Sequence, residues 1–197
     1  MSEMSWIELG QIAELLTGYP FRAGLPAVPD GDLAVVQLHH VAEPGRPLPK
    51  SVIRVSNQGG RYDRYLLKIN DILFHARGLR HPAGVINPLE PAISAPGLYV
   101  IRPDPERVIP QYLAWCINHP QLQSAIAAVA QGTHAPFVSK KAMAAIRVPL
   151  PRHGTQRDVV QIQELRETER WTAERLSRAQ DSLVHSATWR TAIGEVF

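Results

Sequence analysis

No glycine or proline occurs in residues 156–186, and this stretch is dense in Glu, Arg, Gln and Leu. These are good helix formers, and helix-breaking residues are absent, so the stretch predicts one long α-helix. Thr155 followed by Asp158 resembles a capping box at its start, with Asp in place of the usual Glu. About thirty residues at ~1.5 Å each would give a rod of roughly 45 Å.

The apolar residues of this helix form a narrow stripe with spacings of three and four, as in the a and d positions of a coiled coil. Glu169 and Thr172 interrupt the stripe at two such positions. This polar break either sets the register of pairing or is a solvated turn. A stripe this narrow needs a second surface to cover it. We name it the seam, and it consists of Ile162, Leu165, Leu176, Ala179 and Leu183.

The residues before the helix indicate where a globular body ends. Ser139 is a good N-cap for a short helix over residues 140–144, and residues 146–148 suit a brief strand. The prolines at 149 and 151 should stop that strand. The body therefore ends near Arg152.

The rest of the body predicts strands first and helices afterwards. Asn70-Asp71 is a favourable turn pair, so the runs on either side of it predict a β-hairpin. We predict an α+β fold: a globular mixed α/β domain over residues 1–152, then a long C-terminal coiled-coil-forming helix within residues 153–197. The predicted elements are a short helix then a strand over 6–16, strands over 33–38, 51–55, 65–69, 72–75 and 97–102, and helices over 110–117 and 120–131.

Positive charge is concentrated in two segments of the body. Residues 44–81 hold eight Lys or Arg against two acidic residues, and residues 108–153 hold four against none. This distribution favours a surface that faces a polyanion and is built from two places in the sequence. Chance clustering on a solvated surface is the alternative.

One loop in the first basic segment is the leading candidate for nucleic-acid contact. Arg77 and Arg80 lie among Gly78, Pro82 and Gly84. An arginine in a glycine-flanked loop can bind guanine through two hydrogen bonds or hold a phosphate. A solvated basic loop is the alternative. The histidines nearby have no carboxylate or cysteine partner, so we expect no metal site.

Motifs for catalysis on DNA are absent from the sequence. Asn87-Pro88-Leu89-Glu90 lacks the second proline and the aromatic residue of an adenine methyltransferase tetrapeptide, and there is no phosphate-binding G-x-x-x-x-G-K-S/T loop. Cys116, the single cysteine, predicts a buried, inert thiol. No run of 18 apolar residues and no signal peptide occur, so we expect a cytoplasmic protein without a membrane span.

Several short motifs follow one another in an order that is more specific than any of them alone. Their order and spacing resemble a target recognition domain and the helix that follows it in the specificity subunits of type I restriction-modification systems. The matching residues are Trp6, Leu9-Gly10, Ile12, Thr17-Gly18-Tyr19-Pro20-Phe21, Asn70-Asp71-Ile72-Leu73, Tyr112-Leu113-Ala114-Trp115, Gly132-Thr133, Val138-Ser139-Lys140, Ile146, Val148-Pro149-Leu150-Pro151 and Gln156.

The resemblance implies a non-catalytic subunit that binds double-stranded DNA and directs a DNA adenine methyltransferase (modification) subunit to its site. S-adenosylmethionine would be held by that partner and not by this chain, and a restriction/translocase subunit could join the complex. The alternative is a coiled-coil interaction module of a related defence complex that binds no DNA. The residues that we assign to DNA contact are Tyr19, Arg22, Arg61, Arg64, Arg77, Arg80, His81, Lys140 and Lys141.

Specificity subunits of this family usually carry two recognition domains and two long helices, and this sequence has one of each. We therefore expect a half-length form that pairs with itself through the seam, as an antiparallel homodimer that recognises a bipartite, inverted-repeat site. Pairing with a different half-length chain is the rival arrangement.

Overall fold

A computed structural model describes residues 5–21, 24–41 and 52–192 of the chain. Strands come first and most helices follow, as the sequence predicts. The elements are β1 Ser5–Glu8, β2 Ala13–Thr17, β3 Leu33–Val36, α1 Leu38–Val41, β4 Arg54–Val55, β5 Asp71–His75, β6 Ala83–Ile86, β7 Ala92–Ser94, β8 Leu98–Pro103, α2 Pro110–Asn118, α3 Pro120–Val129, α4 Lys140–Ala144, β9 Arg147–Leu150 and α5 His153–Ala192.

A four-stranded and a three-stranded sheet of the body share an apolar core. Four antiparallel strands lie in the order β2-β8-β5-β6, and three strands lie in the order β4-β3-β7, with β3 and β7 parallel. Every residue of β3 is buried. Because successive side chains of a strand point to opposite faces, Ala34 and Val36 join the core with Leu73 and Val100 of the four-stranded sheet. The other two residues of β3 pack in a second core that contains Tyr62.

The predicted hairpin around Asn70-Asp71 is wrong, although the turn itself is present. Asn70 has a φ of +70°, which suits a tight turn. However, β5 pairs with β6 and β8, and the segment before the turn contributes only an isolated bridge from Leu66 to Ile93. Residues 63–65 form a 3₁₀ turn instead of a strand. β5 is an inner strand whose backbone groups form hydrogen bonds along both edges, and a lone hairpin would supply a partner for only one edge.

A two-stranded sheet joins the start of the described chain to the end of the body. β1 pairs antiparallel with β9, with Trp6 opposite Pro149. The sequence predicted a helix in place of β1 and predicted that Pro149 would end the last strand, and both predictions are wrong. Proline is tolerated in an edge strand because its missing N–H is not needed there. The Pro149 carbonyl accepts a hydrogen bond from the Tyr112 hydroxyl at 3.0 Å.

The helices of the body agree closely with the sequence. α2 and α3 each begin at a proline, and α4 covers the predicted residues. The Ser139 side chain accepts a hydrogen bond from the Ala142 amide at 3.1 Å, which is the N-cap interaction expected from its position. Cys116 is buried in α2, and burial raises the pKa of its thiol to about 11, as expected for an inert thiol.

α5 is longer than the sequence indicates. It runs for 40 residues, or about 60 Å at ~1.5 Å per residue, and it begins at His153. The predicted capping box is wrong because Thr155 already lies within the first turn. The seam residues Ile162, Leu165, Leu176 and Leu183 are 55 to 71% exposed within the single chain. Their exposure leaves an apolar surface that no residue of the described chain covers.

The chain divides into two compact units, Met1–Gln156 and Arg157–Phe197. The predicted fold class is confirmed, since a β-rich α+β body precedes a long C-terminal helix. None of the helices in the part of the chain that the structure describes has both the length and the apolar character needed to cross a membrane.

Gln156 fixes the first turn of α5 within the body unit. Its side chain is fully buried, which is rare for glutamine. The Oε1 atom accepts from the Ile109 amide at 2.8 Å, and the Nε2 atom donates to the carbonyls of Pro151 at 2.9 Å and Arg107 at 3.2 Å. The side-chain amide thus forms hydrogen bonds both to the backbone before α2 and to the backbone before α5.

We expect Gln156→Leu to lower the free energy of unfolding of the body by about 2 to 5 kcal/mol. The leucine fills a similar volume, but it removes the partner of one N–H and two carbonyls that are partly buried, at ~1–3 kcal/mol for each group that stays dry. Urea denaturation measures the change. Gln161→Leu, at an exposed position of the same helix, is the matched control and should change stability by less than ~0.5 kcal/mol. Equal effects of the two variants would contradict this role of Gln156.

Candidate nucleic-acid interface

The arginine-bearing loop after β5 is held by backbone hydrogen bonds to the loop before α4. The Gly78 amide donates to the Pro136 carbonyl at 2.9 Å, and the Val138 amide donates to the Ala76 carbonyl at 2.9 Å. Gly78 has a φ of +111°, a conformation that L side chains rarely adopt. These bonds place exposed Arg77 next to Phe137, with its guanidinium carbon 4.9 Å from the ring centroid. Arg77 is therefore positioned at both its backbone and its side chain.

The loop before α4 is itself closed by two hydrogen bonds. Gln131 and Phe137 exchange them, at 2.9 and 2.8 Å between amide nitrogen and carbonyl oxygen. Gly132, with a φ of +97°, begins the excursion between them. The chain then reaches the Ser139 cap, and Lys140 and Lys141 follow as exposed residues in the first turn of α4. The second basic segment thus meets the first one at Arg77.

A cavity of 340 Å³ brings the two basic segments together at a second place. Arg64 and Tyr65 line it from the first segment, and Lys140 lines it from the second. Leu16 and Val100, from neighbouring strands of the four-stranded sheet, also line it. Residues about 75 positions apart in sequence therefore share one surface. This is the arrangement that the charge distribution of the sequence predicts for a polyanion site.

An aromatic cluster lies beside this cavity. The ring centroid of Tyr19 lies 4.7 Å from that of Phe21, 4.6 Å from that of Tyr62 and 5.0 Å from that of Tyr65, all with steep interplanar angles. Such edge-to-face contacts are the favoured geometry for aromatic pairs. The Arg61 Nε atom donates to the Tyr19 hydroxyl at 2.9 Å. Tyr19 therefore lies between the body core and a cationic side chain.

The cations of the body fall into two classes. Arg102 makes two hydrogen bonds to buried Asp71, from Nε and Nη2 and both at 2.8 Å, which raise the pKa of Arg102. Arg54 binds Glu90 through one nitrogen, Nη1, which donates to both carboxylate oxygens at 3.0 and 2.9 Å. These two arginines hold the fold together. The six described cations that the sequence assigns to DNA contact make no ion pair with any acidic group of residues 5–21, 24–41 and 52–192, and their charge remains available to a ligand. They are Arg61, Arg64, Arg77, Arg80, Lys140 and Lys141.

One of the described residues assigned to DNA contact does not join this surface. His81 is only 2% exposed; its ring stacks on Phe74, and its Nδ1 atom lies 2.8 Å from the His75 carbonyl. His81 is a core residue, so its assignment to DNA contact is wrong. Arg22 lies outside the described residues.

Apart from Tyr19, which the sequence assigned to DNA contact, sequence reasoning missed the aromatic residues of the surface. Phe137 and Tyr65 each stack with an arginine. Tyr62 is a core residue that packs against Tyr19. The signal was present as the alternating run Arg61-Tyr62-Asp63-Arg64-Tyr65. Arginine beside aromatic residues is typical of nucleic-acid surfaces. Among the described residues, no group of three or more His, Cys, Asp or Glu side chains could hold a metal ion.

The fold is that of the specificity (S) subunits of type I restriction-modification systems, so the resemblance carried by the sequence motifs is confirmed at the level of the fold. The chain matches the S subunit from M. genitalium with a TM-score of 0.58 at 12% identity, over 83% of this chain and 39% of that one. It matches the HsdS subunit from Thermoanaerobacter tengcongensis with a TM-score of 0.62 at 19% identity, over 84% and 38% of the two chains.

A third match is a chain in a structure that addresses complex assembly and conformational transition of the type I R-M system. Its TM-score is 0.68 at 16% identity, over 93% of this chain and 43% of that one. The chain thus spans about two fifths of the length of the solved chains that it matches. No protein-family model and no curated protein matches the sequence.

We expect the triple change Arg64→Gln, Arg77→Gln and Lys140→Gln to weaken binding to a duplex DNA of random sequence and to lessen its salt dependence. Each lost phosphate contact should reduce the slope of log affinity against log salt by about 1. Fluorescence anisotropy at four or more salt concentrations measures the slope.

The matched control carries the same charge change at cations outside the surface: Arg54→Gln, Arg170→Gln and Arg178→Gln. All three already pair with glutamates. A slope that falls as much in the control as in the triple variant would show that the surface is wrongly placed.

Proposed function

We propose that this chain is a DNA-recognition subunit of a type I restriction-modification complex. Its body binds double-stranded DNA, and it directs a separate adenine methyltransferase subunit to the bound site. The observation that carries the proposal is the meeting of two basic segments on one surface of a body with the S-subunit fold. Cations without acidic partners on that surface suit phosphate contact and base reading.

The subunit itself supplies no methyl-transfer chemistry in this proposal. The sequence lacks a glycine-rich cofactor loop after a first strand and a catalytic tetrapeptide of the methyltransferase type. S-adenosylmethionine and the reacting adenine would therefore both bind the modification subunit. The contribution of this chain is to position the modification subunit on its DNA site. Both proteins would act in the cytoplasm, where the DNA is. A restriction/translocase subunit would join through the same complex.

We expect methyl transfer to DNA to require both proteins. The assay measures incorporation of the labelled methyl group of S-adenosylmethionine into plasmid DNA by the modification subunit, with and without this chain. The triple variant of the candidate interface should reduce incorporation by the same factor as it reduces DNA binding. Full incorporation by the modification subunit alone would contradict the proposal, and so would incorporation by this chain alone.

The seam on α5 supports pairing with a second copy of the chain. Its leucines are exposed to solvent in the single chain, and two copies packed antiparallel would cover them in an isologous contact. An antiparallel pair carries two equivalent DNA-binding bodies, so its site would be an inverted repeat with a fixed gap. Pairing with a different half-length chain would give two unlike half-sites instead.

We expect Leu176→Asp with Leu183→Asp to convert the dimer to a monomer, because each copy would place charges in the apolar contact. The control is Trp171→Asp with Trp189→Asp. These tryptophans are about as exposed as the leucines, but at ~100° per residue they lie roughly 120° to 140° around the helix from them. Light scattering at tens of micromolar measures the mass. A monomeric wild type, or dissociation by the control alone, would contradict pairing through the seam.

A protein-interaction module that binds no DNA is the second candidate, and the exposed seam is the observation that favours it. The two candidates differ in salt dependence. A DNA-binding body requires affinity for duplex DNA that falls steeply as salt rises, whereas an interaction module shows no such affinity.

A further inference from the structure

Beside the duplex-binding surface lies a second cavity that phosphate contacts alone do not explain. Its volume is 430 Å³, which is in the ~300–1,000 Å³ range of small-molecule sites. The lining comes from residues 19–21, Gly24 and Pro26 on one side and from Arg61, Tyr62, Arg64 and Tyr65 on the other. Arg64 and Tyr65 line this cavity and also the neighbouring cavity that contains Lys140. The two cavities are therefore adjacent on one surface.

The lining combines flat apolar groups with positive charge. Tyr19, Tyr62 and Tyr65 supply aromatic rings, and the loop after Tyr19 supplies Pro20 and Pro26. The guanidinium carbon of Arg64 lies 4.9 Å from the Tyr65 ring centroid. A planar guanidinium on a ring is itself a stacking surface as well as a hydrogen-bond donor.

The positive charge of Arg61 and Arg64 is not neutralised by an acidic residue of the lining segments. Asp63 is the acidic residue within residues 61–65, and it accepts a hydrogen bond from the Asn57 side chain at 2.7 Å instead of pairing with an arginine. Arg61 uses its Nε atom on the Tyr19 hydroxyl, and its terminal NH₂ groups make no hydrogen bond to the described residues. The cavity thus offers rings for stacking and guanidinium donors for an anion.

We propose that this cavity binds one unstacked nucleobase of a DNA strand whose phosphates contact Arg61 and Arg64. A nucleotide is the ligand class that joins a flat aromatic group to an anion, and stacking on aromatic and arginine side chains is how proteins hold unpaired bases. The inference rests on the proposed function and deepens it, because it states that recognition includes a base that has left the stack as well as the intact duplex.

The experiment compares two labelled single-stranded probes in fluorescence anisotropy: an oligomer of eight thymidines and an eight-unit abasic oligomer with the same phosphates. The first should bind at least about fivefold more tightly, because one stacked base contributes ~1–3 kcal/mol. Equal affinity of the two probes would overturn the proposal and would show that only phosphates are bound.

Variants test whether the preference for bases arises in this cavity. Tyr65→Leu keeps apolar bulk against the core and should bring the thymidine-to-abasic affinity ratio close to 1. Arg64→Gln should weaken both probes. Trp171→Leu is the control, because Trp171 also stacks with an arginine, Arg175 at 4.6 Å, but lies outside the cavity. An unchanged ratio in Tyr65→Leu that still melts like wild type would overturn the assignment.

A measurement on the wild-type protein guards against a variant that fails to fold. An oligomer containing 5-iodouracil is irradiated in complex with the protein, and mass spectrometry locates the crosslink. Attachment at Tyr19 or Tyr65 is expected, because Tyr62 is buried, and attachment confined to other peptides would overturn the proposal. If duplex DNA binds but the two probes bind equally, this inference fails alone; if no DNA binds at all, the proposed function fails with it.

Discussion

The buried side-chain amide of Gln156 is the contact on which the joining of body and helix depends. One group serves three backbone partners, in the segment before α2 and in the segment before α5. No other residue type has both the donors and the acceptor for this task without carrying a charge, apart from the shorter asparagine. The first turn of α5 is thereby held to the segment before α2, which gives a physical reason for a glutamine at this position.

The candidate surface depends on backbone contacts of a similar kind. The loop that carries Arg77 and Arg80 is joined to the loop that leads to Lys140 and Lys141 by main-chain hydrogen bonds around Gly78 and Val138. Positioning a cation before its ligand arrives lowers the entropy lost on binding. Arg102 lines the same cavity as Arg64 and Lys140, but its guanidinium is bound to buried Asp71, so within this cavity one cation stabilises the body while the others remain available.

Local signals made the helices predictable from the sequence. Prolines at the starts of α2 and α3 and the Ser139 cap of α4 are interactions between residues close in sequence, and they set these boundaries correctly. The pairing of the strands could not be read in this way. β5 has β8 and β6 as partners, and β1 pairs with a strand about 140 residues away. Which strands pair depends on contacts between residues distant in sequence, and only the whole fold determines these.

Only part of the candidate surface was predicted, again because local signals are visible in the sequence and tertiary contacts are not. The two basic segments were visible as charge, and the glycine-flanked Arg77 was identified from its loop. Arg77 stacks on Phe137, a residue distant in sequence, and His81 is buried in the core. The composition of a loop predicts neither contact. The motifs carried the fold assignment because their order along the chain records the order of the elements.

The most direct measurement of the central claim, that the body recognises DNA through the surface built by the two basic segments, is amide hydrogen exchange with and without duplex DNA. The account predicts slower exchange in peptides that cover residues 61–65, 76–80 and 131–141, with unchanged exchange in the β1–β9 sheet. Protection that is absent from all three segments, or that appears only in α5, would contradict it.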